Sequence, residues 1–253
     1  MMSYLYIPDF LSVFDFWMLV ALSFFTSFLT AAIGLGGGTI MLAVLAQILP
    51  VKAIIPIHGV VQLGSNFGRA AVLSGSVDKT LLLYFFIGSL AGALVGGKIA
   101  IDLPVDALRM VLGIFILYAV WAPPKLSLPA TNSAWTLGGF LSTLLTMFVG
   151  ATGPFVMAML RPFKLQPMSQ VATLAASLVI QHSFKVIVFG VLGFVFTPYI
   201  PLLGLMVVVG FLGTLLGRMV LLRANPPLFT GILNIVLTML ALRLIWLALG
   251  QVL

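Results

Sequence analysis

Long apolar runs, interrupted by Gly, Pro and single charges, follow one another along almost the whole chain. A helix that crosses hydrocarbon needs about 20 mainly apolar residues. Cut at its Gly/Pro punctuation, the sequence predicts ten segments. They are 16–33, 37–49, 54–74, 80–101 and 106–122 in the first half, and 135–149, 153–165, 168–196, 200–222 and 228–249 in the second. All read as helix, because an open sheet leaves its backbone unsatisfied in lipid and a barrel needs alternating polarity. Ala122-Pro123-Pro124-Lys125-Leu126-Ser127-Leu128-Pro129 is the linker, which predicts units at 1–122 and 131–253 joined by 123–130. Segments two and seven are too short for an ordinary crossing and are read as half-helices completing the segments before them. The expected fold is an all-α polytopic membrane protein of two repeats, about four crossings each.

Composition agrees. Of 253 residues, 62% are hydrophobic and 7% charged, against about 25% charged in soluble chains. The net charge of +7 comes from twelve Lys and Arg against five Asp and no Glu. These charges sit singly between apolar runs, so nucleic acid is not an expected partner and the lipid bilayer is. The absence of Cys excludes disulfides, thiolate metal sites and a cysteine nucleophile. Met1 to Phe14 holds no Lys or Arg, so no signal peptide is expected.

The halves repeat each other. A shift of 116 lays Gly34-Leu35-Gly36-Gly37-Gly38 on Gly150-Ala151-Thr152-Gly153-Pro154, Ser65 on Gln181, Asn66 on His182, Arg69 on Lys185 and Gly88 on Gly204. Internal repeats of this kind characterise secondary transporters, with the substrate at the repeat interface. With two half-helices, both halves enter the membrane from one side. One face then carries Lys52, Lys98, Arg109, Arg161, Lys164, Arg218 and Arg223; the other has Lys79, Lys125, Asp9, Asp15 and Asp78. Trp17, Trp121, Trp135 and Trp246 fall near that second face, as an aromatic belt would. This bias predicts parallel repeats with both termini outside, in a bacterial cytoplasmic membrane. The spacings Gly88-xxx-Gly92-xxx-Gly96 and Gly213-xxx-Gly217 are read as helix packing.

Function is sought where polarity interrupts the apolar runs. Gly34 to Gly38 cannot continue a helix cheaply, and a broken backbone survives in lipid only inside protein or beside water. Each break precedes a half-helix whose first N–H groups and positive dipole end suit an anion. No Gly-Lys-Ser/Thr follows, so a nucleotide loop is excluded. The third crossing of each half adds Gln62, Ser65, Asn66 and Arg69, and Ser177, Gln181, His182 and Lys185. A cation within an apolar helix is by default a functional candidate; snorkelling is the competing reading, chiefly for Arg69. His182, then His58, are candidate proton carriers, with polar packing as the plainer reading. All five Asp lie at segment ends, which leaves no intramembrane carboxylate for sodium or protons and disfavours cationic cargo.

Ala31-Ala32-Ile33-Gly34-Leu35-Gly36-Gly37-Gly38 with its apolar half-helix resembles the opening motif of the sulfite exporter TauE/SafE family. Leu73-Ser74-Gly75-Ser76-Val77-Asp78-Lys79, ahead of Ile87-Gly88-Ser89-Leu90-Ala91-Gly92-Ala93 and Gly96-Gly97, resembles it too. The resemblance covers nearly the whole chain; the second copy departs from the Gly-rich pattern at Ala151, Thr152 and Pro154. It implies a membrane permease, a secondary transporter of sulfite, sulfoacetate or a related organosulfonate, without choosing among them.

The residue reading and the resemblance together give an anion exporter without cofactor or metal and without enzymatic activity. Backbone N–H groups at Gly36, Gly37, Gly38, Thr152, Gly153 and Phe155 would hold the oxyanion. Arg69 and Lys185 would neutralise it, and Gln62, Ser65, Asn66, Gln181 and His182 would add hydrogen bonds. A transporter of another metabolite and a non-transporting membrane-complex subunit are the alternatives, and a homodimer is left open.

Overall fold

The computed structural model describes residues 7–8, 11–33, 36–121, 129–220 and 227–250. Gly34 of the first break, most of the linker, and Asp9, Lys125 and Arg223 lie outside the described residues. The described residues form ten α-helices and no strand: α1 (Val13–Ile33), α2 (Gly37–Ile48), α3 (Val51–Val72), α4 (Lys79–Asp102), α5 (Val105–Trp121), α6 (Asn132–Val149), α7 (Gly153–Leu160), α8 (Pro167–Val191), α9 (Ile200–Val220) and α10 (Pro227–Leu249). Local chemistry sets their ends. Asp78 and Thr131 cap α4 and α6 by accepting from the Leu81 and Ala134 amides. The apolar run to Phe196 does not remain helical, because Gly193 turns at φ 94° and the Phe194 amide closes back on the Phe189 carbonyl at 2.9 Å. Pro162 likewise ends α7 early, in a 3₁₀ turn over Arg161–Phe163.

Four described helices are long and apolar enough to cross a membrane by themselves: Val13–Ala32, Lys79–Ala100, Pro167–Val191 and Thr197–Gly217. Large apolar side chains such as Phe25, Leu94, Ile187 and Val208 point outward, while Ser23, His58, Asn66, Thr143, Gln181 and Lys185 are buried. Polar inside and apolar outside is the arrangement lipid imposes. The protein is a multi-pass membrane protein.

Contacts fix the helix directions. Gly88, Gly92 and Gly96 of α4 meet the α6 backbone at Thr136, Phe140 and Leu144, so these helices run parallel. Gly213 and Gly217 of α9 meet Phe24 and Phe28 of α1 in the same sense, and Gly64 and Gly68 of α3 meet Val207 and Phe211 of α9. Helices α4 and α8 are also parallel, through Asp78 with Thr173 and Phe86 with Phe184. By contrast α3 and α8 are antiparallel, since Gly59 lies against Lys185 whereas Val72 lies beside Met168 and Val171. So are α5 and α10, through Gly113 with Ile245 and Trp121 with Thr238. Hence α1, α3, α5 and α9 start at one face, here the first, and α4, α6, α8 and α10 start at the second.

This corrects the expectation of parallel repeats: helices matched by the 116-residue shift run in opposite directions. The reason is length. At 1.5 Å per residue the 21 residues of α1 already cover about 30 Å, so α2 is not needed to complete a crossing. It folds back about 18 Å toward the first face instead, where α3 begins. The tryptophans consequently divide, Trp17 and Trp246 toward the first face, Trp121 and Trp135 toward the second. Trp135 is no belt residue, being buried with Nε1 donating to the Leu81 carbonyl at 2.8 Å.

The small-residue stripes are contact surfaces, as their spacing predicts. A Cβ on Gly92 would lie 2.3 Å from the Phe140 carbonyl oxygen, whereas one on Gly204 would meet nothing within 4 Å. Gly92→Ala is therefore expected to cost about 1–3 kcal/mol and Gly204→Ala to be neutral or stabilising, as thermal unfolding of both variants in detergent will show.

Candidate functional site

The two breaks converge on one cavity of about 40 Å³. Gly36, Gly38 and Thr39 form its wall at the start of α2, and Ala151, Thr152, Gly153 and Pro154 form it at the start of α7. Because α2 runs toward the first face and α7 toward the second, both point their N-terminal ends at the space between them. The first N–H groups of a helix have no intrahelical partner and carry its positive pole.

Each glycine of the first break has its own reason. Gly36 has φ 101°, a left-handed backbone that side chains rarely adopt. At Gly37 a Cβ would stand 2.0 Å from the Thr26 carbonyl of α1. At Gly38 it would approach the Gln62 side-chain amide at 3.3 Å. In the second break Gly150 takes the left-handed turn, at φ 80°.

Helix α3 contributes His58, Gln62, Asn66 and Arg69 to the cavity, spaced three or four residues apart along one face, and α8 contributes His182. An Arg69 Nη donates to Asn66 Oδ1 at 2.5 Å, and Asn66 Nδ2 donates back to the Gln62 carbonyl at 2.7 Å. His58 Nε2 donates to the Gly38 carbonyl at 2.9 Å. In a neutral ring that leaves Nδ1 as the acceptor, and it has no partner. His182, 3% exposed, also has an unpartnered Nδ1, and its ring meets that of His58 edge-on at 6.1 Å. Arg69 Nε is likewise buried without a partner. Orphaned polar atoms beside a cavity mark where a ligand or water completes the network.

The sequence-predicted residues divide into two sets. Gly36, Gly38, Gln62, Asn66, Arg69, Thr152, Gly153 and His182 border the cavity. Gly37, Ser65, Phe155, Gln181 and Lys185 do not. Gly37 is packed on α1; Phe155 stacks on Phe115 and Tyr118 of α5, at 6.2 and 5.7 Å. Gln181 accepts from Thr152 Oγ1 at 2.7 Å and donates to Thr143 Oγ1 at 3.3 Å, and Thr143 donates to Ser89 at 2.9 Å. Lys185, completely buried, donates from Nζ to the Gly150 carbonyl at 3.2 Å. Thr146 donates to the same oxygen at 2.9 Å. Sequence reasoning passed over Thr30, Thr39, Thr143 and Thr146, because threonine in a membrane helix commonly bonds its own backbone.

No Asp lines the cavity, and no group of three or more His, Asp or Glu forms among the described residues. The lining combines the Arg69 guanidinium, the side-chain amides of Gln62 and Asn66 and two helix starts with the unpartnered His58 Nδ1, and its net character suits an oxyanion. Gln181→Leu leaves the buried Thr152 hydroxyl without its acceptor and is expected to lower stability by about 1–3 kcal/mol, measured as a shift in the unfolding midpoint in detergent.

No curated protein and no solved structure gives a significant match to the chain. The family model described as "Sulfite exporter TauE/SafE" matches residues 19–244, nearly the whole chain and every residue that borders the cavity. The chain therefore belongs to the sulfite exporter TauE/SafE family of membrane transporters.

Proposed function

We propose that the protein is a uniporter-like permease for a small sulfur oxyanion, sulfite in the first place, held between the starts of α2 and α7. One observation carries this reading: both breaks open onto a single cavity that contains a cation and no carboxylate. The N–H groups at Gly36, Gly38, Thr152 and Gly153 cradle the oxygens, and Arg69 neutralises charge with charge-assisted hydrogen bonds. Gln62, Asn66 and His182 complete the shell. Gln181 and Lys185 act one step back, holding the second break in shape.

Size favours sulfite over sulfoacetate. A water needs about 10–15 Å³, so a cavity of about 40 Å³ accepts three or four heavy atoms in this state, and sulfite has four. In this proposal residues 1–122 and 131–253 are two inverted repeats about the linker 123–130, with α2 and α7 as half-helices, and rocking of one repeat against the other gives alternating access. Both termini are on the first face, which we place outside a bacterial cytoplasmic membrane. Lys79, Arg161 and Lys164 then lie toward the inner face and Lys52, Lys98 and Arg109 toward the outer one. Export then runs downhill, because a negative interior drives each anionic charge outward by about 2.3 kcal/mol per 100 mV.

Sulfite flux into proteoliposomes under an imposed potential tests this. The expected result is flux whose direction follows the potential, at least tenfold faster for sulfite than for sulfoacetate, and at least tenfold slower in Arg69→Gln. Absence of flux for either anion in folded protein, or an Arg69→Gln variant as fast as the parent, would overturn the oxyanion assignment.

A further inference from the structure

Two larger cavities flank the central one, one toward each face. That on the second face has about 280 Å³ and lies among α1, α3, α8 and α9; that on the first has about 220 Å³ and lies among α3, α4, α5, α6 and α8. They correspond under the 116-residue shift. Ala31, Leu73, Met168 and Val171 line the second-face cavity, and Met147, Phe189, Lys52 and Ile55, their counterparts at that shift, line the other.

The two cations also correspond, yet they stand differently. Arg69 borders both the central cavity and the second-face cavity. On α3 it lies between Asn66, in the central wall, and Leu73, in the flanking wall. On α8 the same spacing puts Lys185 between His182, in the central wall, and Phe189, in the first-face wall. Lys185 nevertheless borders neither cavity. Its stem crosses α3 at Gly59, where a Cβ would lie 2.8 Å from Lys185 Cδ, and its ammonium is tied to the Gly150 carbonyl.

We propose that the flanking cavities are the anion's two access routes, and that Lys185 closes the first-face route in the state observed. This rests on the permease reading above. The second-face route ends at Arg69, a cation that reaches the central cavity. The first-face route ends at a cation folded inward, with its stem filling the space that the route needs. Apolar walls dry a closed route, here the one on the first face. The opposite state of the cycle has Lys185 bordering the cavity of Met147 and Phe189, as Arg69 now borders that of Val72 and Leu73. Gly59 is small because the lysine must pass over it.

A chain without Cys allows a direct test. Ala151→Cys places one thiol in the central wall, and silver ion, a membrane-impermeant thiol reagent of a single atom, is applied to proteoliposomes from either face, with labelling read as protection of the thiol from later alkylation in detergent. Labelling is expected from the second face only. Adding Lys185→Met is expected to raise first-face labelling at least tenfold, and Gly59→Ala, which displaces the lysine stem while retaining the charge, is expected to do the same. Should either double variant fail to remain monodisperse in detergent, the other decides. First-face labelling of Ala151→Cys alone would overturn the proposal, as would double variants that still label from the second face only. Labelling does not require sulfite to be the cargo. A gated pattern without sulfite flux would therefore remove the oxyanion assignment and keep the gate.

Discussion

A backbone that breaks inside a membrane must find partners for both its carbonyls and its amides, and the rest of this structure follows from how that need is divided. The carbonyls are answered by the protein. His58 donates to Gly38, and Thr146 and Lys185 donate to Gly150. Local helical bonds occupy the oxygens of Gly36 and Thr152. The first amides of α2 and α7 have no partner within their own helices, and Gly38 and Gly153 at those starts border the cavity. With these carbonyls covered, the backbone of the two starts offers donors to the cavity before any side-chain charge is counted. Arg69 strengthens that polarity, and the absence of Asp from the walls leaves it unopposed.

The two breaks reach this common end by different chemistry. The first relies on glycine, with Gly36 for its dihedral, Gly37 for contact with α1 and Gly38 for contact with Gln62. The second relies on a buried polar chain from Thr152 through Gln181 and Thr143 to Ser89, with Lys185 and Thr146 on one carbonyl. Such networks are rigid when complete, because each unpaired member costs its full desolvation. The second start is therefore anchored to α4, α6 and α8, whereas the first is shaped mainly by close packing.

Much of this was legible in the sequence. Apolar run length and Gly/Pro punctuation located all ten helices, and the Gly-rich breaks with the polar cluster at Gln62–Arg69 located the cavity. Helix direction was not legible. It turns on whether α1 crosses alone or needs α2, a question of a few residues at the break, and the charge bias that favoured parallel repeats disappears once Lys52, Lys98 and Arg109 fall at one face and Lys79, Arg161 and Lys164 at the other. Side-chain roles were legible only in part. Sequence placed Arg69 and Lys185 at matching positions and read snorkelling chiefly for Arg69, yet Arg69 borders the cavity and Lys185 does not. Which of them borders the cavity is set by packing between helices, Lys185 being held over Gly59 and on the Gly150 carbonyl. Phe155 was chosen for its backbone amide, which instead donates to the Thr152 carbonyl at 3.0 Å, while its ring packs on Phe115 and Tyr118.

The central claim is that an oxyanion sits between two opposed helix starts, and selenite offers the most direct test because it matches sulfite in charge and shape and scatters anomalously. Crystals of the protein grown with selenite should show one selenium peak inside the membrane region, between Gly38 and Thr152–Gly153 and within hydrogen-bond reach of Arg69, and sulfite in excess should remove it. A selenium peak confined to the surface, or bound at Lys52 or Arg161 with the central cavity unchanged, would contradict the account.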